Sequence, residues 1–162
     1  MLQRLQSVFL FLAIVSGIVV FLFPIATYYS DVSFFKFFLC SLRDYAPDPF
    51  NEMSASSKQA NWLYPLALSI LQLIIVLIAF ITISKFKKRP LQMRLNYLNI
   101  FLTVLLVGGI FYFSTTLEET FETTAQYGIG GVFPLVSIIM FFLANNFIKR
   151  DERLIRSADR LR

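Results

Sequence analysis

The chain has 162 residues, 57% of them hydrophobic and 15% charged, with a formal net charge of +5 and a mean hydropathy of +0.66. An ordinary soluble domain is about 45–50% apolar, and nineteen phenylalanines would be hard to bury in one water-soluble core of this length. The complete lack of histidine excludes a haem or zinc site built on imidazole, and the single cysteine, Cys40, excludes an internal disulfide or a CxxC pair.

Four stretches contain no Asp, Glu, Lys or Arg: 8–26, 63–84, 95–114 and 129–148, of 19, 22, 20 and 20 residues. About 20 helical residues cross a hydrocarbon core of about 30 Å. Lipid tolerates only helices or closed barrels as spanning structures, and these runs lack the alternation of barrel strands. The expectation is an all-α integral membrane protein. Residues 1–162 would form a single four-helix transmembrane bundle with a cytoplasmic C-terminal helical extension.

The first stretch reads as a retained helix rather than a secretory signal. Its apolar run is long, Arg4 is its only basic residue before the run, and no A-x-A cleavage pattern follows. The connection after it, 27–62, opens with the aromatic-rich "DVSFFKFFLCSLRDY" and continues through Pro47, Pro49 and a Ser-rich segment. The first half fits either a short strand pair or an interfacial helix, and the second half reads as loop. Cys40 there reads as a packed or interfacial residue rather than a reactive thiol.

Charge divides the connections sharply. Arg4, the linker "KFKKRPLQMR" and the tail 149–162 hold twelve of the fifteen basic residues and three acids. The other two connections hold three basic residues and seven acids. By the positive-inside rule both termini and the linker face the cytoplasm, with 27–62 and 115–128 outside. A sequence pI near 9.5 also fits nucleic-acid binding, but this charge flanks spans and has few aromatics interleaved, so contact with anionic headgroups explains it better. No nucleic-acid partner is expected; the partners are the lipid bilayer and other membrane-protein subunits. Tyr28, Tyr29, Trp62, Tyr64, Tyr112 and Tyr127 fall at span ends on the outer side, where an apolar ring with a polar tip is favoured.

"FPI" at 23–25, "YPL" at 64–66 and "FPL" at 133–135 place prolines near outer span ends. Helix-end chemistry accounts for them more simply than a proline-lined cavity does. Ala13 and Gly17 form a small-xxx-small pair, and Gly108–Gly109 thin the third span, so both sites suit close helix approach. Gly128, Gly130 and Gly131 resemble a phosphate cradle only superficially, since no strand precedes them.

No span contains an ionisable residue, which argues against an ion-coupled transporter. The strongest intramembrane polar residues are Gln72, Asn96, Asn99, Asn145 and Asn146. Asn99 and Asn145 lie about one turn from the inner ends of their spans. Interhelical hydrogen bonding is the simpler reading, and a polar pocket facing the cytoplasm is the alternative. In the tail, Leu154, Ile155, Ala158 and Leu161 share one helical face, and Glu152 and Arg156 stand at i,i+4. Leu154, Arg156 and Leu161 are the residues placed to touch a partner or headgroups. The sequence holds no catalytic dyad, triad or metal constellation, and no enzyme activity or cofactor is expected.

"MLQRLQSVFLFLA", "KKRPLQMRLNYLNIF" and "LANNFIKRDERLIRSADRLR" together resemble the family designated domain of unknown function 4293, small four-span membrane proteins typical of Bacteroidota. The resemblance covers the whole chain and implies the inner membrane of a Gram-negative cell. It implies no activity and no site residues. Two functions fit the residues: a non-enzymatic accessory or assembly subunit of a larger membrane complex, and a small transporter, channel or lipid-binding protein.

Overall fold

A computed structural model describes residues 2–29, 34–44, 63–85 and 89–159. Helix α1 runs Leu2–Val19, followed by strands β1 (Ala26–Tyr29), β2 (Phe34–Phe38) and β3 (Ser41–Asp44). Helices α2 (Leu63–Ser84) and α3 (Arg89–Phe121) come next, then β4 (Ala125–Tyr127), a 3₁₀ turn at Ile129–Gly131 and helix α4 (Val132–Asp159). The helices pack in the cyclic order α1, α2, α3, α4, each against two neighbours, with α1 on α4 the most extensive contact.

The all-α expectation is corrected by the four-stranded antiparallel sheet, ordered β3-β2-β1-β4. The strand-pair alternative for the 27–62 connection is the one realised, but β4 comes from the 115–128 connection. Paired positions Ala26↔Phe37, Tyr28↔Phe35, Phe37↔Leu42 and Tyr28↔Ala125 put one apolar set on a single face. Thr27, Lys36, Arg43 and Gln126 occupy the opposite face. Tyr28, Phe37 and neighbouring Leu39 are fully buried. The Phe37 ring meets Phe113 of α3 edge-on at 5.1 Å, and Ser69 of α2 donates to the Leu39 carbonyl at 2.8 Å. The apolar face thus closes one end of the helix array, while Arg43 on the polar face lies 5.2 Å over the Phe38 ring. Cys40, in the β2–β3 turn, is exposed rather than packed.

Helix boundaries depart from the charge-free runs for local reasons. After Val19 the chain tightens into i→i−3 bonds, Phe21 N to Ile18 O and Leu22 N to Val19 O, and Pro24 has no N–H with which to resume a helix. Helix α1 is 18 residues long, shorter than the 22 of α2, the 33 of α3 and the 28 of α4, and these three are each long and apolar enough to cross a membrane. Helix α3 begins at Arg89, inside the basic linker, because Pro90 suits a first helical turn. It runs on beyond Ser114 through "TTLEETF", where Thr115, Thr116 and Thr120 bond back to carbonyls three or four residues earlier. It stops at Glu122, whose φ of 52° reverses the backbone, and Thr123 N bonds to Glu118 O in the manner of a Schellman cap. The Glu118 carboxylate then accepts from Ala125 N at 2.7 Å, leading the chain into β4.

The three prolines sit at helix ends: Pro24 after α1, and Pro65 and Pro134 in the first turns of α2 and α4. A strand, β4, does precede Gly128 and Gly130, contrary to the expectation, but the glycines form no cradle, since their N–H groups are taken by Ile25 O at 2.8 Å and Pro24 O at 3.1 Å. Of the interfacial aromatics, Tyr29, Tyr64, Tyr112 and Tyr127 are exposed, and Trp62 lies outside the described residues. Tyr28 is a correction: alternation along β1 turns it inward beneath the sheet.

Burial lifts the Tyr28 phenol from 10.0 to about 12, with Tyr127 and Glu118 adding to the rise and a hydrogen bond with Ser114 opposing it. Between those values the unfolded chain releases this proton and the folded chain keeps it, so the unfolded state binds fewer protons there. The Tyr28 contribution is intact below about pH 10 and is lost as pH rises through about 12. Thermal unfolding in detergent across this window should fall more steeply for the wild type than for Tyr28→Phe; equal slopes would contradict the burial.

Candidate functional site

The outward faces of the helices are apolar and their inward faces carry the polar residues. On α2 the buried positions are Pro65, Leu68, Ser69, Gln72, Ile75, Ala79 and Thr82, at helical spacing. Leu66, Ile70, Leu73, Leu77 and Phe80 point outward and are 43–64% exposed. A soluble protein distributes these types the other way round.

Side chains donating to main-chain carbonyls link neighbouring helices. Ser16 of α1 donates to Phe133 O of α4 at 2.8 Å. Gln72 Nε2 of α2 reaches Gly17 O of α1 at 2.9 Å, and Asn96 Nδ2 of α3 reaches Phe141 O of α4 at 2.8 Å. Gly17 leaves room for the second link, because a Cβ there would stand 2.7 Å from Gln72 Nε2 and the carboxamide would have to shift. Gly109 has the same role against Leu68 of α2, at 2.8 Å, whereas Gly108 faces open space.

The largest polar concentration lies at the end of the helices remote from the sheet. On α3, Arg89, Gln92, Asn96, Asn99 and Thr103 recur every three or four residues and so form one inward stripe. Gln92, Asn96 and Asn99 are fully buried, and Gln6 of α1 and Asn145 of α4 are each 2% exposed. Arg89 and Asp151 form an ion pair at 3.5 Å between α3 and α4. Outside this pair the Lys149 ammonium lies 5.3 Å over the Tyr97 ring.

Two fixed points set the relative depth of these residues. Asn96 reaches Phe141 O and Arg89 meets Asp151 on antiparallel helices, so Asn145 lies at a level between Gln92 and Asn96. Asn99 sits about one turn farther toward the sheet. The Phe9–Phe147 stack at 5.2 Å likewise brings Gln6, one turn before Phe9, level with Gln92. Asn99 and Asn145 are therefore not a bonded pair, and Asn146, one helical step from Asn145, faces outward. Gln72 belongs to the separate α1–α2 seam.

Eight carboxamide atoms in this cluster have no hydrogen-bond partner among the described residues: Gln6 Nε2, both of Gln92, Asn96 Oδ1, and both of Asn99 and of Asn145. A buried polar atom left unsatisfied costs about 1–3 kcal/mol. Eight such penalties rival the whole stability of a typical domain, about 5–15 kcal/mol. The cluster offers uncharged donors and acceptors, with the Arg89–Asp151 pair beyond it. Among the described residues no three His, Cys, Asp or Glu side chains gather at one place.

The sequence reading had named Asn96, Asn99 and Asn145 but not Gln6, Gln92 or the Arg89–Asp151 pair. Their signal is the unbroken three-four spacing from Arg89 to Thr103, which crosses from the basic linker into the third span. At the opposite end, a recess of about 320 Å³ lies between α3, α4 and the sheet, lined chiefly by Ile25, Val107, Ile110, Phe111, Tyr127 and Leu135. In the tail, Leu154 and Arg156 fall on the helical backbone of α4, and Leu161 lies outside the described residues.

The family model for Domain of unknown function (DUF4293) matches residues 2–161, and the chain belongs to that family. No curated protein and no solved structure matches it.

Replacing Gly17 with alanine should displace the Gln72 carboxamide and leave it buried without its acceptor, lowering stability by about 1–3 kcal/mol. Gln72→Leu should remove that penalty when combined with Gly17→Ala. A double-mutant cycle of thermal unfolding in detergent measures the coupling, and strict additivity would rule out the contact.

Proposed function

We propose that this DUF4293 protein is a non-enzymatic accessory or assembly subunit of a larger complex in a bacterial inner membrane, crossed by all four helices. The distribution of residues supports the membrane setting: the exterior of α2, α3 and α4 is apolar over a full span while amides and hydroxyls turn inward. Such an exterior would be a large aggregation-prone patch in water, and it is the solvation that lipid or membrane subunits supply. Both termini and the 85–94 linker face the cytoplasm in this reading, from the distribution of basic residues.

The observation that carries the docking role is the continuity of α4, which runs 28 residues from Val132 to Asp159. Its charge-free run ends at Ile148 and the helix continues to Asp159, so about two turns of charged helix project past the Arg89–Asp151 pair. A charged segment this short is marginal as a helix in water and gains stability from a surface. Leu154, Arg156 and Leu161 supply the apolar and basic contacts for another subunit. The second reading, a transporter, channel or lipid-binding protein, draws on the buried amides and the apolar recess. A continuous pore fits poorly, because the inward polar stripe of α3 gives way to Leu106 and Ile110 beyond Thr103.

Deleting residues 153–162, which retains the Arg89–Asp151 pair, should abolish stoichiometric co-purification of partner subunits in mild detergent while leaving the protein inserted. Unchanged partners, abundance and growth would refute the docking role. Topology has its own measurement, a cysteine at Lys87 in a Cys40→Ser background. It should resist a membrane-impermeant maleimide in intact spheroplasts and react after lysis; labelling before lysis reverses the orientation.

A further inference from the structure

We propose that the ends of α1, α3 and α4 remote from the sheet enclose a binding site for small, uncharged hydrogen-bonding molecules, with the Arg89–Asp151 ion pair as its lid. The inference does not depend on the docking role of the tail, because it rests on side chains inside the helix array.

Its basis is the accounting of polar atoms. Gln92, Asn99 and Asn145 each bring an unpartnered NH₂ and an unpartnered carbonyl, while Gln6 adds an NH₂ and Asn96 a carbonyl. All five residues are at most 2% exposed. Carboxamide orientation is assigned from the surrounding hydrogen bonds, but flipping Gln92, Asn99 or Asn145 leaves the tally unchanged, since each has both atoms orphaned. Asn96 is held in its orientation by donating to Phe141 O.

The tally selects the chemistry of the guest. Four NH₂ groups and four carbonyls need a molecule that both accepts and donates. A bare metal cation would leave the NH₂ groups unmet, and a simple anion would leave the carbonyls unmet. Water meets both, and a buried water typically makes about three hydrogen bonds, so about three waters would serve the cluster. A small amide or polyol has the same capacity, and the common feature is a neutral group with donors and acceptors together.

The surroundings give the site a direction. Toward the sheet it is closed: Thr103 turns its hydroxyl back onto Asn99 O at 2.7 Å, and Leu10, Leu106 and Phe141 fill the interior at 0–1% exposure. At the other end stands the Arg89–Asp151 pair at 3.5 Å, with Arg89 Nη1 itself buried and without a hydrogen-bond partner among the described residues. The arrangement is a polar cluster closed toward the sheet and bordered at its other end by an ion pair, suited to holding a guest rather than passing it through.

The test uses the full chain in lipid nanodiscs with ¹⁵N-labelled Asn and Gln side chains. Water–NH₂ cross-peaks should appear for the Asn99 and Asn145 side chains, each identified by its disappearance in Asn99→Ser or Asn145→Ser. These variants are small and polar, so they keep room for the guest, and the remaining amide spectrum reports that they fold. NH₂ groups that show contacts only to protein protons would overturn the site. Titration with acetamide separates the two sources of the chemistry: loss of the water cross-peaks identifies a site open to solutes, and their persistence identifies a site specific for water. Asp151→Asn removes the ion pair and should speed exchange of the same NH₂ protons with bulk water several-fold; an unchanged rate would refute the lid.

Discussion

The end of the molecule that carries the sheet depends on one close approach of backbone to backbone. Gly130 brings its N–H to the Pro24 carbonyl and Gly128 does the same to Ile25. A Cβ at Gly130 would stand 2.5 Å from Pro24 O, and one at Gly128 would stand 2.8 Å from the same oxygen. These contacts seat the start of α4 on the exit of α1, which Ser16 extends by donating to Phe133 O. Ile25 meanwhile donates to Phe37 O, so the same turn also fixes β2. The Pro24 and Ile25 carbonyls thus hold the turn that leads into α4, and the Ile25 N–H holds β2. Proline contributes by breaking the helix there, leaving carbonyls free to accept, and glycine contributes by being thin enough to reach them.

The helices were legible because their signal is local. Long charge-free runs locate apolar helices whatever those helices pack against, and each run overlaps an observed helix. Their ends were less legible because charge marks the limit of apolar character and not the limit of helical hydrogen bonding. Phe21–Ile25 are apolar yet leave the helix at a turn, and Thr115–Phe121 are polar yet stay in it. The sheet was obscured for two reasons. Phe38 and Tyr29 put aromatics on the polar face as well as the apolar one, masking the alternation of Phe35, Lys36 and Phe37. The partner of β1 on its other side, β4, lies in a different connection, and no local pattern encodes that pairing.

The polar interior was half legible for a similar reason. Asparagines inside an apolar run stand out, so Asn96, Asn99 and Asn145 were evident, but which of them face one another depends on helix rotation and offset. Asn146 is turned away by a single helical step. Gln92 was hidden by its basic neighbours, which marked it as linker, and Gln6 by its place ahead of the first run. Their burial follows from where α3 and α1 begin, a property of the helices rather than of composition.

The sheet also sets a constraint on the order of assembly. Strand β1 ends at Tyr29 and pairs with β2 a few residues later, but its other edge is met only by residues 125–127. At about 5–20 residues synthesised per second, that edge waits on the order of ten seconds for its partner while two helices are made in between. During that interval the nascent chain carries an unpaired strand edge, the kind of feature that recruits wrong strands. Its shortness limits the hazard, since four residues offer little template to a competitor. Completion of the sheet consequently follows the making of α2 and α3, and of the helices only α4 is still to come when its last strand emerges.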